Sequence, residues 1–354
     1  MTKLTFVDKT LSFALKQKRI DIRKFLYLKE KIPQMSNTIF DIPYEFAAGL
    51  AKLPGIDFDN IRVCIGKDTK KIDEAYEMGF TRIKALCGNI NEKTKPEILK
   101  VFERAFSLNV KLSVGCIDIS KDLDDIYFYR DMAKKYKFYS LVIHDKSNSL
   151  DPLDTSHKLL ELKKILRCRM EYGGKNLLGL ATGNALGAVK SGIDIISTAI
   201  GGMGNFPAFE EVIMGLNHLL DIDVNIPKEL ASKCKEIMDV LDIDLPRTKP
   251  IIGTNIFMHE SGIHVDGVIK KSDLYEPFTP EEVGLSRKIV IGKHSGKAAV
   301  LQKINELNIK VNPLRISLLL EKVRSLAVRQ KAAVIDEQLK ELAREVEKYE
   351  SAYC

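Results

Sequence analysis

The sequence predicts an α/β protein built on a closed (β/α)8 TIM barrel followed by a small α+β or helical C-terminal subdomain. Three observations carry that prediction. Eight short β-rich runs occur in residues 1–220: LTFVDKTL, NTIFDIP, NIRVCIG, RIKALCG, KLSVGCIDI, FYSLVIHD, RCRMEYGG and GIDIISTAIGG. Segments with helical spacing, such as DEAYEM and PEILKVFERAFSL, separate them. The chain of 354 residues is long enough for one such barrel and an appendage. Eight β/α units in succession suit a closed barrel better than an open doubly wound sheet. In that architecture chemistry sits at the C-terminal ends of the strands.

Each element follows in order. Residues 1–220 form the barrel, and residues 221–250 read as a polar linker with prolines at 227, 246 and 250 around a helix-like KELASKCKEIMDVL. Residues 251–354 form the C-terminal subdomain. It opens on a polar stretch, continues through the glycine-rich IGKHSGKAAV, and ends in helical patterns in ISLLLEKVRSLAV and DEQLKELAREVEKY. There are no repeats beyond the β/α units and no low-complexity segments.

Composition narrows the function classes. A hydrophobic fraction of 45% and a charged fraction of 29% are ordinary for a globular protein. The net charge of +7 favours anionic ligands such as carboxylates or a coenzyme phosphate. Its lysines (Lys16, Lys18, Lys24, Lys29 and Lys31 among them) spread through helix-like segments as a solvated face. No aromatic-studded basic stripe accompanies them, so nucleic acid is not an expected partner. The cysteines Cys64, Cys87, Cys116, Cys168, Cys234 and Cys354 form no C-x-x-C pair and read as reduced residues. With no signal peptide and no long apolar span, a cytoplasmic protein without membrane contact is expected.

The stretch HESGIHVDGVIKKSDLYEPF, His259 to Phe278, gathers two histidines, acids and a tyrosine around two glycines. A zinc site is disfavoured. His259 and His264 are five apart, which would set them about 140° apart on a helix, and Gly262 weakens any helix there. On residue types alone the stretch is either a catalytic group or a polar loop whose side chains satisfy local backbone. A second glycine-dense segment, AIGGMGNF (Ala199–Phe206), lies at a strand end where a phosphate could be cradled, or where a plain strand–helix turn is needed.

The segments HESGIHVDGVIK, YEPFTPEEVG and IGKHSGKAAV, with LGLATGNALGA (Leu178–Ala188) at the family's strand-7 stretch, closely resemble the homocitrate synthase and 2-isopropylmalate synthase family. The resemblance covers essentially the whole chain and implies condensation of acetyl-CoA with a 2-oxo acid. It also implies that a histidine and a tyrosine of the C-terminal subdomain reach a neighbouring subunit's barrel and assist deprotonation of the thioester methyl. By motif these are His264 and Tyr275, with His259, Glu260, Gly262, Lys293, His294, Ser295 and Gly296 as the supporting loop. Histidine suits proton transfer near neutral pH.

The barrel departs from the same pattern. The family's first strand ends D-x-T-L-R-D-G-E-Q, supplying a catalytic arginine and a metal-binding aspartate. Here DKTLSFALK puts Ser12 and Phe13 at those positions. The family's H-G-H-N-D-L-G becomes GGKNLLG, with Gly173 and Lys175 in place of both histidine ligands and Leu177 in place of the aspartate. IDISK replaces E-D-A-S-R, so Ile117 stands for an acid–base glutamate and Lys121 for an arginine. DKSN replaces D-T-V-G, so Lys146 stands for a threonine. Asp8, Thr10, Leu11, Asp118, Ser120 and Asp145 are retained. A phenyl ring does not bind a hard cation, so the expected metal ligands in this chain are none.

The resemblance therefore implies an omega-type subunit of a split homocitrate synthase. Its barrel is degenerate, and a homologous catalytic barrel subunit brings the divalent metal and the 2-oxo acid, 2-oxoglutarate. A homodimer is compatible with the same pattern. The other expectations are a stand-alone metal-independent acyltransferase or aldolase-like enzyme using Lys146 or Lys175 as a Schiff-base amine, and a non-catalytic regulatory partner. The pocket residues that select the 2-oxo acid are rewritten, so homocitrate, isopropylmalate and citramalate synthesis fit equally. The chain ends near where the family's leucine-sensing domain would begin, so leucine feedback is not expected.

Overall fold

The computed structural model describes residues 4–32, 38–88, 90–121, 125–145, 149–259 and 276–348. The chain divides into two compact units, Met1–Leu245 and Pro246–Cys354. In the first, eight parallel strands close on themselves in sequence order: β1 Thr5–Asp8, β2 Thr38–Pro43, β3 Ile61–Ile65, β4 Arg82–Leu86, β5 Lys111–Asp118, β6 Ser140–His144, β7 Met170–Gly173 and β8 Ile195–Thr198. β8 pairs back to β1, Ile196 opposite Phe6 and Thr198 opposite Asp8. All eight expected strands are present. The protein is a TIM barrel.

The helices around it are α1 Thr10–Lys16, α2 Ile22–Lys31, α3 Ala47–Ala51, α4 Thr69–Glu77, α5 Lys95–Ser107, α6 Ile126–Lys135, α7 Pro152–Leu166, α8 Ala181–Lys190, α9 Phe209–Leu220 and α10 Leu230–Val240. Aspartates start several of them. Asp21, Asp68 and Asp151 each accept a backbone N–H of the first turn of α2, α4 and α7. The α10 helix lies inside the stretch read as a linker. It buries Leu230, Ala231, Cys234, Ile237 and Met238, and packs on α2 and the loop after β8 as part of the barrel unit.

The segment Leu178–Ala188, placed at strand 7 by resemblance, is the loop after β7 and most of α8. Its small residues have a packing reason. A Cβ on Gly187 would lie 2.7 Å from the Pro152 carbonyl oxygen and one on Gly183 3.0 Å from the Pro152 ring, so α8 crosses the start of α7 only without those side chains.

The second unit carries β9 Met258–His259 and β10 Lys288–Ile289 as a parallel pair, then α11 Lys297–Glu306, α12 Ile316–Gln330 and α13 Asp336–Lys348. Ile291, Val300, Leu319, Val323, Leu339 and Val346 form its core, one apolar stripe from each helix. Among the described residues no helix is long and apolar enough to cross a membrane.

Candidate functional site

The barrel interior is layered. Val7, Ile39 and Ile195, with Tyr139, form an apolar floor. Above it, β2, β3, β4 and β7 each turn one charged residue inward by strand alternation, and Lys9 joins them from just beyond the end of β1. Arg62 is the hub, 1% exposed. Its Nε donates to Asp41 (2.6 Å), and Nη1 and Nη2 donate to the two oxygens of Glu171 (2.6 and 3.0 Å). Lys84 donates to Glu171 (3.1 Å), Lys9 pairs with Asp41, and Ser113 and Ser197 complete the ring. Burial alone would raise both carboxyls. The Arg62 guanidinium and the two ammonium groups outweigh it and hold Asp41 and Glu171 well below the usual carboxylate range. Three cations face two carboxylates, so the layer is net positive.

Sequence reasoning passed over these five residues. Their signal was a charged residue inside each strand run: Asp41 in NTIFDIP, Arg62 in NIRVCIG, Lys84 in RIKALCG and Glu171 in RCRMEYGG, with Lys9 just beyond the end of β1.

At the C-terminal ends of the strands the positions singled out from sequence come together. Phe13 on α1 packs against the loop after β8, so closely that a Cβ on Gly204 would lie 2.9 Å from its ring. Lys175 donates to the Gly204 carbonyl (3.1 Å) and its ammonium sits 3.6 Å from the Phe206 ring centroid, a cation–π contact. Burial, then Lys9 and Lys16, bring the Lys175 amine down to about 8. Gly173 has no side chain, and the imidazole of His144 fills that side. A Cβ on Gly173 would lie 3.0 Å from His144 Nδ1, which donates to the Gly173 carbonyl (3.2 Å).

A ring, a glycine and an ammonium offer no oxygen or imidazole donor to a divalent ion. Among the described residues no group of three His, Cys, Asp or Glu could hold a metal. The barrel mouth does not fit the family's metal. Calorimetric titration with Mn²⁺ or Mg²⁺ should therefore show no micromolar site in the purified chain. A one-to-one site lost on mutating Lys175 or Phe13 would contradict this geometry.

His144 makes a second measurable prediction. Burial, with Lys84 and Lys9 adding repulsion, lowers its pKa from 6.5 to about 4; the Gly173 carbonyl and Glu171 oppose this. A histidine lowered in the fold stabilises it above the unfolded value, and that stability is lost as pH falls through the folded value. Asp8 acts in the opposite sense. Burial raises it to about 6, so its ionisation destabilises the fold as pH rises through that value. Replacing His144 with Asn removes only the first effect. Between about pH 7 and pH 4, wild type should lose on the order of 2–3 kcal/mol more stability than His144→Asn. Denaturant titrations at both pH values check this, and parallel losses would contradict the placement of the ring.

The remaining positions do structural work. The loop after β8 was a possible phosphate cradle, but the amides of its first three residues are taken: Ile200 N–H by Thr10 Oγ1 (2.9 Å), Gly201 N–H by the Glu210 carboxylate (3.0 Å) and Gly202 N–H by Ala199 O (3.1 Å). It is a strand–helix turn, with Gly201, Gly202 and Gly204 at positive φ. Asp118 accepts from Ser120, and Asp145 from the amides of Ser149 and Leu150. Ile117 is buried beyond a register shift in β5, Ser12 is buried on α1, and Leu177 is exposed. Lys146 lies outside the described residues.

In the second unit, Glu260, Gly262, His264 and Tyr275 lie outside the described residues, as does the His259 side chain; the His259 backbone pairs with Ile289 in β9–β10. Lys293 and His294 are exposed on the loop before α11. Ser295 is buried there. Its Oγ accepts the Gly292 amide (2.9 Å), and its carbonyl accepts Nε and Nη2 of Arg324 (3.0 and 2.7 Å). Gly296 precedes the first turn of α11. Arg324 went unnoticed in the sequence because its partner is a backbone carbonyl 29 residues away.

A parallel TIM barrel followed, among the described residues, by a β-pair and three helices defines the class, and comparison with known proteins places the chain within it. The family model described as HMGL-like matches residues 31–242, and that described as homocitrate synthase post-HMGL domain-like matches residues 251–331. The chain belongs to the HMGL-like family. It is 35% identical over 235 residues to the homocitrate synthase omega subunit of Clostridium pasteurianum, covering 66% of each chain. It is 36% identical over 245 residues to 2-isopropylmalate synthase 2 of Caldanaerobacter subterraneus, covering 67% of this chain and 63% of that one. The matched part thus spans no more than 66% of these relatives' own lengths. The barrel superposes on hydroxymethylglutaryl-CoA lyase of Pseudomonas aeruginosa with a TM-score of 0.54 at 15% identity, over 68% of this chain and 92% of that one. That likeness shows the fold.

Proposed function

We propose that the chain is a subunit of a homocitrate synthase-type acyltransferase whose own barrel performs no condensation. In this reading its C-terminal unit lends His264 and Tyr275 to a homologous barrel that carries the metal. One observation carries the reading: the eight-stranded barrel is closed while Phe13, Gly173 and Lys175, which the resemblance aligns with the ligand positions, are packed against Gly204, His144 and Phe206. The similarity to a protein named as an omega subunit supports the same division of labour.

The chemistry explains why a second chain is useful. The methyl of an acetyl thioester is a weak acid, so its deprotonation needs a placed base and a donor for the enolate oxygen. His264 takes the proton near neutral pH, and Tyr275 donates a hydrogen bond to the developing charge. A divalent ion held by the partner would supply polarisation of the carbonyl of the 2-oxo acid, 2-oxoglutarate in this reading. The new carbon–carbon bond then forms in the partner's barrel, and hydrolysis of the thioester frees CoA.

The isolated chain should fold yet release no free CoA from acetyl-CoA with 2-oxoglutarate or a shorter 2-oxo acid. Addition of a homologous barrel with its Asp and two His ligands should produce turnover. Release by a preparation shown to lack any homologue would falsify the proposal.

A further inference from the structure

We propose that the barrel mouth is rebuilt around a protein ammonium, Lys175, and an inserted imidazole, His144. Returning the three ligand residues alone would then not restore a metal site. This concerns the barrel itself and holds whatever chain it pairs with.

Two independent packings support it. On the loop side, Phe13, Gly204, Phe206 and Lys175 form one continuous contact. The Phe13 ring lies where Gly204 leaves no room for a Cβ (2.9 Å), the Gly204 carbonyl accepts from Lys175 (3.1 Å), and the ammonium rests on Phe206 (3.6 Å). The positive charge at this point belongs to the chain, and it ties the turn after β8 to the end of β7. On the strand side, a side chain at residue 173 would begin 3.0 Å from His144 Nδ1 and 3.1 Å from its Cε1. Contacts that close require the ring to give by a few tenths of an ångström. Beneath it, Lys9 and Lys84 belong to a layer that is already net positive. A divalent ion placed above would meet like charge, where metal sites ordinarily place acceptors around their ligands.

His144 is the residue that separates this proposal from simple loss of ligands. The test compares Mn²⁺ binding by calorimetry in two variants of the full chain. One carries Phe13→Asp, Gly173→His and Lys175→His; the other adds His144→Ala. The fourfold variant should gain a one-to-one site, and the threefold variant should bind at least about tenfold more weakly, the scale of outer-shell effects on metal affinity. Equal affinity in the two overturns the proposal, and so does the absence of a site in both.

Should the threefold variant fail to fold, hydrogen exchange on single variants tests the ammonium. Lys175→Met should speed exchange across residues 200–206 by about tenfold, an opening shift of about 1.4 kcal/mol, while Lys175→Arg should largely preserve protection. Unchanged exchange in Lys175→Met also overturns the proposal.

Discussion

Replacing Arg62 with Met should destabilise the barrel by about 3–5 kcal/mol, the cost of breaking a buried ion pair by removing one partner. The reason is specific to the layer. Asp41 and Glu171 are both buried, and Arg62 supplies two donors to each, while Glu171 also accepts from Lys84 and Ser197. Removing the guanidinium leaves two carboxylates against two lysines in a poorer geometry. Burial then dominates, and one carboxyl should take up a proton. A shift in urea midpoint at unchanged slope measures the effect. Arg104→Ala, which breaks the half-exposed pair with Asp73, is the control and should cost no more than about 1 kcal/mol. If Arg62→Met is as mild as the control, the interior charges are not coupled as the distances imply.

The same layer shows where the sequence was legible and where it was not. The eight strands were readable because β-branched and aliphatic runs alternate with helical spacing, and a barrel needs both faces of each strand covered. Phe13, Gly173 and Lys175 stood out because they interrupt long motifs of the resembled family. What surrounds them in space was not legible. His144 is an ordinary residue in SLVIHD until β6 and β7 pair and bring it beside Gly173. Lys9, Asp41, Arg62, Lys84 and Glu171 come from five different strands or strand ends, and only closure puts them in one ring. The stretch LGLATGNALGA was placed at strand 7 by resemblance alone. Its helical state follows from a close crossing with α7 at Pro152.

The second large effect concerns His264. Its role rests on the resemblance of HESGIHVDGVIK, and an acid–base group so placed typically contributes about 10²–10⁴-fold to the rate. His264→Ala should leave folding and assembly with the partner barrel intact, because the polar, glycine-containing sequence around it is not that of a packed core. Tyr275→Phe should act on the same step by removing one hydrogen-bond donor. The effect should fall on turnover, since the histidine works on the methyl proton.

The decisive measurement is CoA release by the complex of this chain with a metal-bearing homologous barrel, wild type against His264→Ala, after co-purification shows equal assembly. A rate lower by about two orders of magnitude or more is the predicted result. Equal assembly with an unchanged rate would contradict the account and leave the chain a scaffold.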